Sequence, residues 1–383
     1  MFGVLKRSFV NPLLEFFNDS RSIGIVLLAC TCISLVITNI SAGNGYTDLW
    51  QTELPFINDL YLPHSLLHWI NDGLMAVFFF LVGMEIKREL VEGELSSVRK
   101  ALLPVVGALG GMLFPALIYV LFTKNTTFTG GWGVPTATDI AFSLGIASLL
   151  RKRVPVALKV FLTALAIIDD LGAILVIALF YGGAIKIVFL IATAVIAAVI
   201  LLLNYLKLKF GILQIALGLV LWFCMYNSGI HATIAGVIFA FLVPTQLLSN
   251  YENKLHHLVY FLIMPVFALA NTAIIIPSAG LAVLNSAMPW GIMAGLFIGK
   301  PVGILTATFI LVRLKKGDLP EQTNWGQMAG AGILAGIGFT MSIFISTLAF
   351  TDASARDIAK IAVLAASFLS MIVGFTWLRF SKN

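Results

Sequence analysis

Two adjacent carboxylates, Asp169 and Asp170, stand near the middle of the apolar stretch VALKVFLTALAIIDDLGAILVIALFYGG, with apolar neighbours for two turns on either side. One ionised carboxylate at the centre of a bilayer costs about 2.5–3.5 kcal/mol on insertion scales, so a pair kept there has a task, and such groups usually mark ion pathways. Adjacent helical positions point about 100° apart. The two side chains therefore face different neighbours, one lining a cavity and the other reaching an adjoining helix. Lys300, in GIMAGLFIGKPVGI, is the matching cation, and Pro301 loosens the helix directly after it. It is expected to pair with an aspartate. Asp139 follows Thr138 in PTATDIAFSLGI, just past a stretch rich in glycine and proline. The free N–H groups of a half-helix starting there would favour its negative charge.

Oxygen donors of this kind suit a hard alkali cation such as Na+. The expected site is Asp169, Asp170, Asp139, Thr138 and Lys300 with freed backbone carbonyls, and Na+ is held at Asp169 and Asp170. A carboxylate that holds a proton or Na+, but not both, turns transport into a competition for one site. No cofactor is expected beyond the transported ions. Two other readings use the same residues. An intramembrane aspartyl enzyme needs facing carboxylates from separate elements, which Asp139 and one of the pair would have to supply. A proton-coupled carrier of a small organic solute wants buried arginines or an aromatic cluster, and the chain lacks both.

Other reactive side chains read as structural. Cys30, Cys32 and Cys224 lie within apolar stretches where packing is their role. His64 and His68 stand four apart without a third ligand in view, and His231, in SGIHATIAGV, reads as a packing histidine. Asp72 lines an entrance or sits at an interface.

Charged groups in apolar surroundings need helices around them, because lipid offers backbone N–H and C=O groups no partner. The composition agrees: 60% of residues are hydrophobic and 11% charged, against about a quarter charged in soluble domains. A soluble protein is excluded. The chain reads as an all-α polytopic membrane protein, a single domain over 1–383, with about twelve spans of the roughly 20 residues a bilayer requires. They are expected to begin near Ser22, Leu66, Ala101, Trp132, Pro155, Ile187, Gly211, Ile230, Leu255, Pro289, Trp325 and Ile358.

Alternating the connections puts roughly eighteen basic residues on one side and four, Lys124, Lys186, Arg356 and Lys360, on the other. Both termini are then cytoplasmic, and the net charge of +6 is topological. Basic residues scattered through short loops exclude nucleic acid as a partner. Residues 1–21 mix Lys6 and Arg7 with Phe and Leu and carry no cleavage site, as a cytoplasmic surface helix would.

Gly130, Gly131, Gly133 and Pro135 crowd the start of the fourth span, and Gly330, Gly332, Gly336 and Gly338 interrupt the eleventh. Each is the middle member of a trio, spans three to five (about 101–182) and ten to twelve (about 289–380). Interrupted segments at matching places in two halves are the pattern of inverted repeats around a polar centre.

The segments PTATDIAFSLGI, AIIDDLGAI, SGIHATIAGV, FIGKPVGI and GIGFTMSIFIS together resemble the NhaA sodium/proton antiporters of bacterial inner membranes, over nearly the whole chain. The resemblance implies that Asp170 and Asp169 carry ions and protons and that Lys300 pairs with Asp169. It also implies that Thr138 and Asp139 lie where the two broken helices cross at the membrane midplane. Cytoplasmic Na+ or Li+ would be exchanged for external protons, two per ion, electrogenically and with little activity at acidic pH. A homodimer would form through a small hairpin within Ser41 to Pro63. Glu85, Arg88 and Glu89 in GMEIKRELVEGEL, with Glu252 and His256 ahead of the ninth span, would sense pH. Their charge pattern alone is equally that of a salt-bridged helix end.

Overall fold

The computed structural model describes residues 20–40, 43–54, 61–276 and 286–381. The expected surface helix over 1–21 lies outside them up to residue 19. Fourteen helices are described: α1 (Ser20–Asn39), α2 (Gly43–Gln51), α3 (Leu66–Val91), α4 (Val98–Thr123), α5 (Ile140–Leu149), α6 (Val156–Phe180), α7 (Ile187–Tyr205), α8 (Ile212–Ser228), α9 (Thr233–Leu242), α10 (Thr245–Asn271), α11 (Ala287–Arg313), α12 (Trp325–Ala335), α13 (Phe339–Ala349) and α14 (Ala353–Phe380). Among the described residues, β structure is limited to one antiparallel bridge, Glu53 to Ser65. It lies in the loop expected to hold a hairpin, of which residues 41–42 and 55–60 are outside the described set.

Eight of these helices, α1, α3, α4, α6, α7, α10, α11 and α14, are long and apolar enough to cross a membrane. The consecutive α12 and α13, bent by 44° at their junction, make a ninth if taken as one span. The twelve apolar stretches of the sequence are thus not twelve continuous helices. The seventh and eighth shrink to α8, of 17 residues, and α9, of 10. Gly229 makes the expected boundary between them: it ends α8 with φ of +90°, and a Cβ there would lie 2.1 Å from the Ala184 carbonyl oxygen. Only glycine takes that conformation without strain.

A second correction concerns α10. It begins at Thr245, not near Leu255, so Glu252, His256 and His257 lie inside the helix instead of ahead of it. Hydropathy locates where a helix enters apolar surroundings, and this one continues beyond that point as a polar stretch over Leu248–Leu258.

Lipid gives apolar side chains no reason to leave it, so helices in a membrane associate through close backbone packing at small residues. The most extensive contact joins α4 to α11, where a Cβ on Gly303 would lie 2.1 Å from the Gly110 carbonyl oxygen. The result is a bundle with α6 at its heart: 67% of its apolar window is buried, against 11% for the peripheral α7. The aspartate pair therefore sits on the most enclosed of the eight candidate spans.

Lys300 owes its position to a local irregularity. A π-helical turn, Gly295–Gly299, immediately precedes it within α11, and Pro301 follows. A proline ring displaces the carbonyl one turn earlier, and a wider turn absorbs that displacement; such turns recur at functional sites. Pro265 stands behind a second one, Val259–Ile263 in α10.

Candidate ion-binding site

The site is built on two interruptions. Before α5, Thr129–Thr136 winds as a 3-10 helix, and the chain runs extended through Ala137 and Asp139 until Ile140 restarts the α-helix. Between α12 and α13 the chain turns at Gly336, Ile337 and Gly338. Each interruption leaves carbonyls at one end and N–H groups at the other.

They satisfy each other. The Asp139 N–H donates to the Ile337 carbonyl at 2.7 Å, and the Thr138 hydroxyl donates to the Ala335 carbonyl at 2.8 Å. The Asp139 carboxylate caps both half-helices. Its Oδ1 accepts from the Phe142 N–H of α5 at 3.2 Å. Its Oδ2 accepts from the Thr340 N–H of α13 at 3.2 Å and from the Thr340 hydroxyl. Two helix N-termini thus converge on one negative charge, the electrostatically favoured arrangement. On the opposite side of the first break, the Lys300 ammonium donates to the Thr136 carbonyl at 2.5 Å.

Lys300 also pairs with Asp169 Oδ2, and both side chains are wholly buried. Asp169 and Asp170 are 1% and 2% exposed, closed from solvent in this conformation. Asp170 turns to different neighbours, as the helical geometry requires, with Asp169, Asp139 and Glu85 as the nearby negative charges. The Oδ1 atoms of Asp169 and Asp170 have no hydrogen-bond partner. Buried polar atoms are nearly always satisfied, and two open carboxylate oxygens beside two helix breaks have the chemistry to take a cation or a proton.

This geometry has relatives. The family described as Na+/H+ antiporter 1 matches residues 14–378. The chain belongs to that family. It is 47% identical over 382 residues to "Na(+)/H(+) antiporter NhaA 1" of Clostridium beijerinckii, covering 97% of this chain and 95% of the relative. It is 46% identical over 382 residues to the NhaA antiporter of Pelagibacter ubique, covering 97% and 98%. It is 45% identical over 376 residues to that of Escherichia coli O1:K1, covering 95% and 97%.

The second group of residues singled out in this NhaA-family sequence lies apart from the aspartates. Arg88 of α3 bonds Glu252 of α10 through Nε at 2.9 Å and pairs with Glu89 at 3.0 Å. The cluster is therefore a clasp between helices as well as a charged helix end. Glu85 lies within electrostatic range of Glu252, Arg88 and Glu89 on one side and of Asp170 on the other. The His256 ring packs on Tyr260 with centroids 4.6 Å apart. Lys87 caps α9, donating to the carbonyls of Phe241 at 2.8 Å and Val243.

At the α2 end of the bundle, a cavity of about 660 Å³ is lined by Asp72, His64, His68, His231 and Arg356 among others. His231 is hydrogen-bonded through Nε2 to the Tyr181 carbonyl at 2.8 Å, a satisfied histidine that also faces the cavity. Among the described residues no three His, Cys, Asp or Glu are placed to hold a metal. The three cysteines are free.

Two contributors were not among the expected site residues. Thr340 stands directly behind the glycines of GIGFTMS as Thr138 stands behind the first break, and that parallel was the available signal. Tyr181 gave none: its hydroxyl donates to the Gly130 carbonyl at 2.9 Å and accepts from the Gly133 N–H at 3.0 Å, pinning the 3-10 segment.

Proposed function

We propose that this chain is a secondary active transporter exchanging cytoplasmic Na+ or Li+ for external protons, two per ion, with Asp170 and Asp169 as the carriers. One observation carries the reading. Asp169 has Lys300 and Asp139 has two helix N-termini, but Asp170 has no cation within ion-pair distance among the described residues. A charge buried without a partner is strongly unfavourable, so Asp170 must be occupied by a proton or an alkali ion. The free Oδ1 of Asp169 is the adjoining oxygen for that ion.

Na+ binding between the two carboxylates competes with Lys300 for Asp169. On return, one proton neutralises Asp170 and a second accompanies the restored Asp169–Lys300 pair. Two protons against one Na+ move one net charge, to which a membrane potential contributes about 2.3 kcal/mol per 100 mV. Because both carboxylates are closed from solvent here, ions reach them by alternating access. The paired interruptions at residues 137–139 and 336–338 are where two inverted repeats, about 101–182 and 289–380, would move against each other. With α8, α9 and the segment from Thr129 to Leu149 as further crossings, the chain spans the bilayer twelve times, both termini cytoplasmic, in a bacterial inner membrane.

Glu85, Arg88, Glu89, Glu252 and His256 set the pH at which exchange begins, Glu85 relaying their charge to Asp170. A homodimer embedded in lipid is the working unit. The two other readings fare worse against the same geometry. An aspartyl dyad including Asp139 would need a free oxygen on it, and both of its oxygens are committed to α5 and α13. A solute carrier would need a larger polar chamber at the aspartates, which are packed closed.

The test is dequenching of a pH-sensitive dye in everted vesicles on addition of Na+, Li+, K+ or small organic solutes at several pH values. Responses to Na+ and Li+ that grow with pH are expected. A response to a solute with none to Na+ would overturn the reading.

A further inference from the structure

Where α2 meets the start of α14, a small cavity of about 100 Å³ lies between Thr47, Trp50, Gln51, Arg356, Asp357 and Lys360. Lys360 is 7% exposed. Lys360 lines the cavity, and no hydrogen bond or ion pair engages its ammonium among the described residues. Asp357, one turn earlier, acts on it electrostatically without closing to ion-pair distance. Trp50 also lines the cavity, and its indole Nε1–H is buried without an acceptor. Two residues from separate elements, each with an unsatisfied donor, therefore line one space. Arg356 and Lys360 against Asp357 leave that space one positive charge in excess.

A buried ammonium with no ion-pair or hydrogen-bond partner is an expensive arrangement, and Asp357 offsets its charge only from beyond ion-pair distance. The walls are otherwise apolar, with Leu67 and Ala270 among them. A volume of this order admits an ion the size of a few water molecules but not a phospholipid headgroup. We propose that this cavity binds a monovalent inorganic anion of chloride size, with Lys360 Nζ and Trp50 Nε1 as donors and Arg356 as the second positive charge. Arg356 also lines the larger cavity that holds Asp72 and the histidines, so the anion enters from there. Asp357 opposes it and keeps the affinity modest. The site is independent of the exchange reaction at Asp169 and Asp170.

The test uses the purified full chain in detergent, with sodium chloride replacing sodium gluconate at constant Na+ and ionic strength. Thermal unfolding and the 35Cl NMR linewidth are followed against chloride concentration. The expected result is a saturable chloride-dependent rise in Tm and a saturable line broadening, both lost in Lys360→Met and weakened in Trp50→Phe. Asp357→Asn tightens binding several-fold, because it removes the opposing charge. The same response in Lys360→Met would reduce the effect to non-specific salt and overturn the site, as would no saturable response in the unmodified chain. Should Lys360→Met not fold, Asp357→Asn decides: unchanged affinity there overturns the proposal.

Discussion

Lys300 and Asp169 join α11 to α6 with both side chains wholly buried. Arg88 and Glu252 join α3 to α10 at 2.9 Å with side chains 35% and 12% exposed. The chemistry of the two pairs is nearly the same and their surroundings are not. Water still solvates part of the Arg88 pair, so breaking it leaves two charges that can be hydrated. The Lys300 pair has no such recourse, since removing one partner strands the other in a medium that cannot stabilise it. It also sits beside Asp170, whose charge has no partner. A change at either aspartate is therefore felt by all three groups, whereas a change at Glu252 reaches them only through Glu85.

Four substitutions test that contrast. The largest effect on function is expected from Asp170→Asn, which keeps the volume and removes the unpaired charge. Na+-dependent proton movement in vesicles is abolished while the melting curve is unchanged or improved; normal exchange would refute the role of Asp170. Asp169→Asn comes next in severity for the fold. It strands Lys300 and lowers stability by about 3–5 kcal/mol, read by thermal unfolding, and adding Lys300→Met restores most of the stability but not the exchange.

Thr340→Val removes the hydroxyl that bonds the Asp139 carboxylate, a hydrogen bond to a charged group contributing about 1.5–3 kcal/mol. Unfolding at reduced temperature with Na+ binding retained would place Asp139 in the bracing of the two breaks instead of in the ion path. The smallest effect belongs to Glu252→Gln, about 0–1 kcal/mol for a partly exposed pair. It alters the pH profile of exchange and leaves its maximal rate. If its destabilisation equalled that of Asp169→Asn, the difference drawn between the two pairs would be lost.

Much of the site was legible before any fold. Asp169, Asp170 and Lys300 announce themselves because a charge in an apolar helix is expensive and therefore conspicuous, and the adjacency of two aspartates already assigns them different neighbours. The glycine and proline clusters before Asp139 and before Thr340 announce the interruptions for a similar reason. The continuity of the helices was less legible. Hydropathy placed the boundary after α8 near Ile230 but could not see that α9 would be only 10 residues long, nor that α10 would begin at Thr245, because it records an environment and not a hydrogen-bond pattern.

What the sequence determined by itself is the class of the protein, the helices that bear the charged groups, and the fact that those groups needed partners. Which partners they took was decided in three dimensions. In one dimension the residues place Asp139 at a helix start but do not tell which of Asp169 and Asp170 takes Lys300. In the folded chain Asp139 is committed to Thr340, 201 positions away, Asp169 is held by Lys300, 131 positions away, and Asp170 is left open. The cost of burying a charge is a local property of the chain, whereas its compensation comes from whichever helix packing brings near, and that packing depends on contacts such as Gly110 against Gly303 that no local pattern specifies.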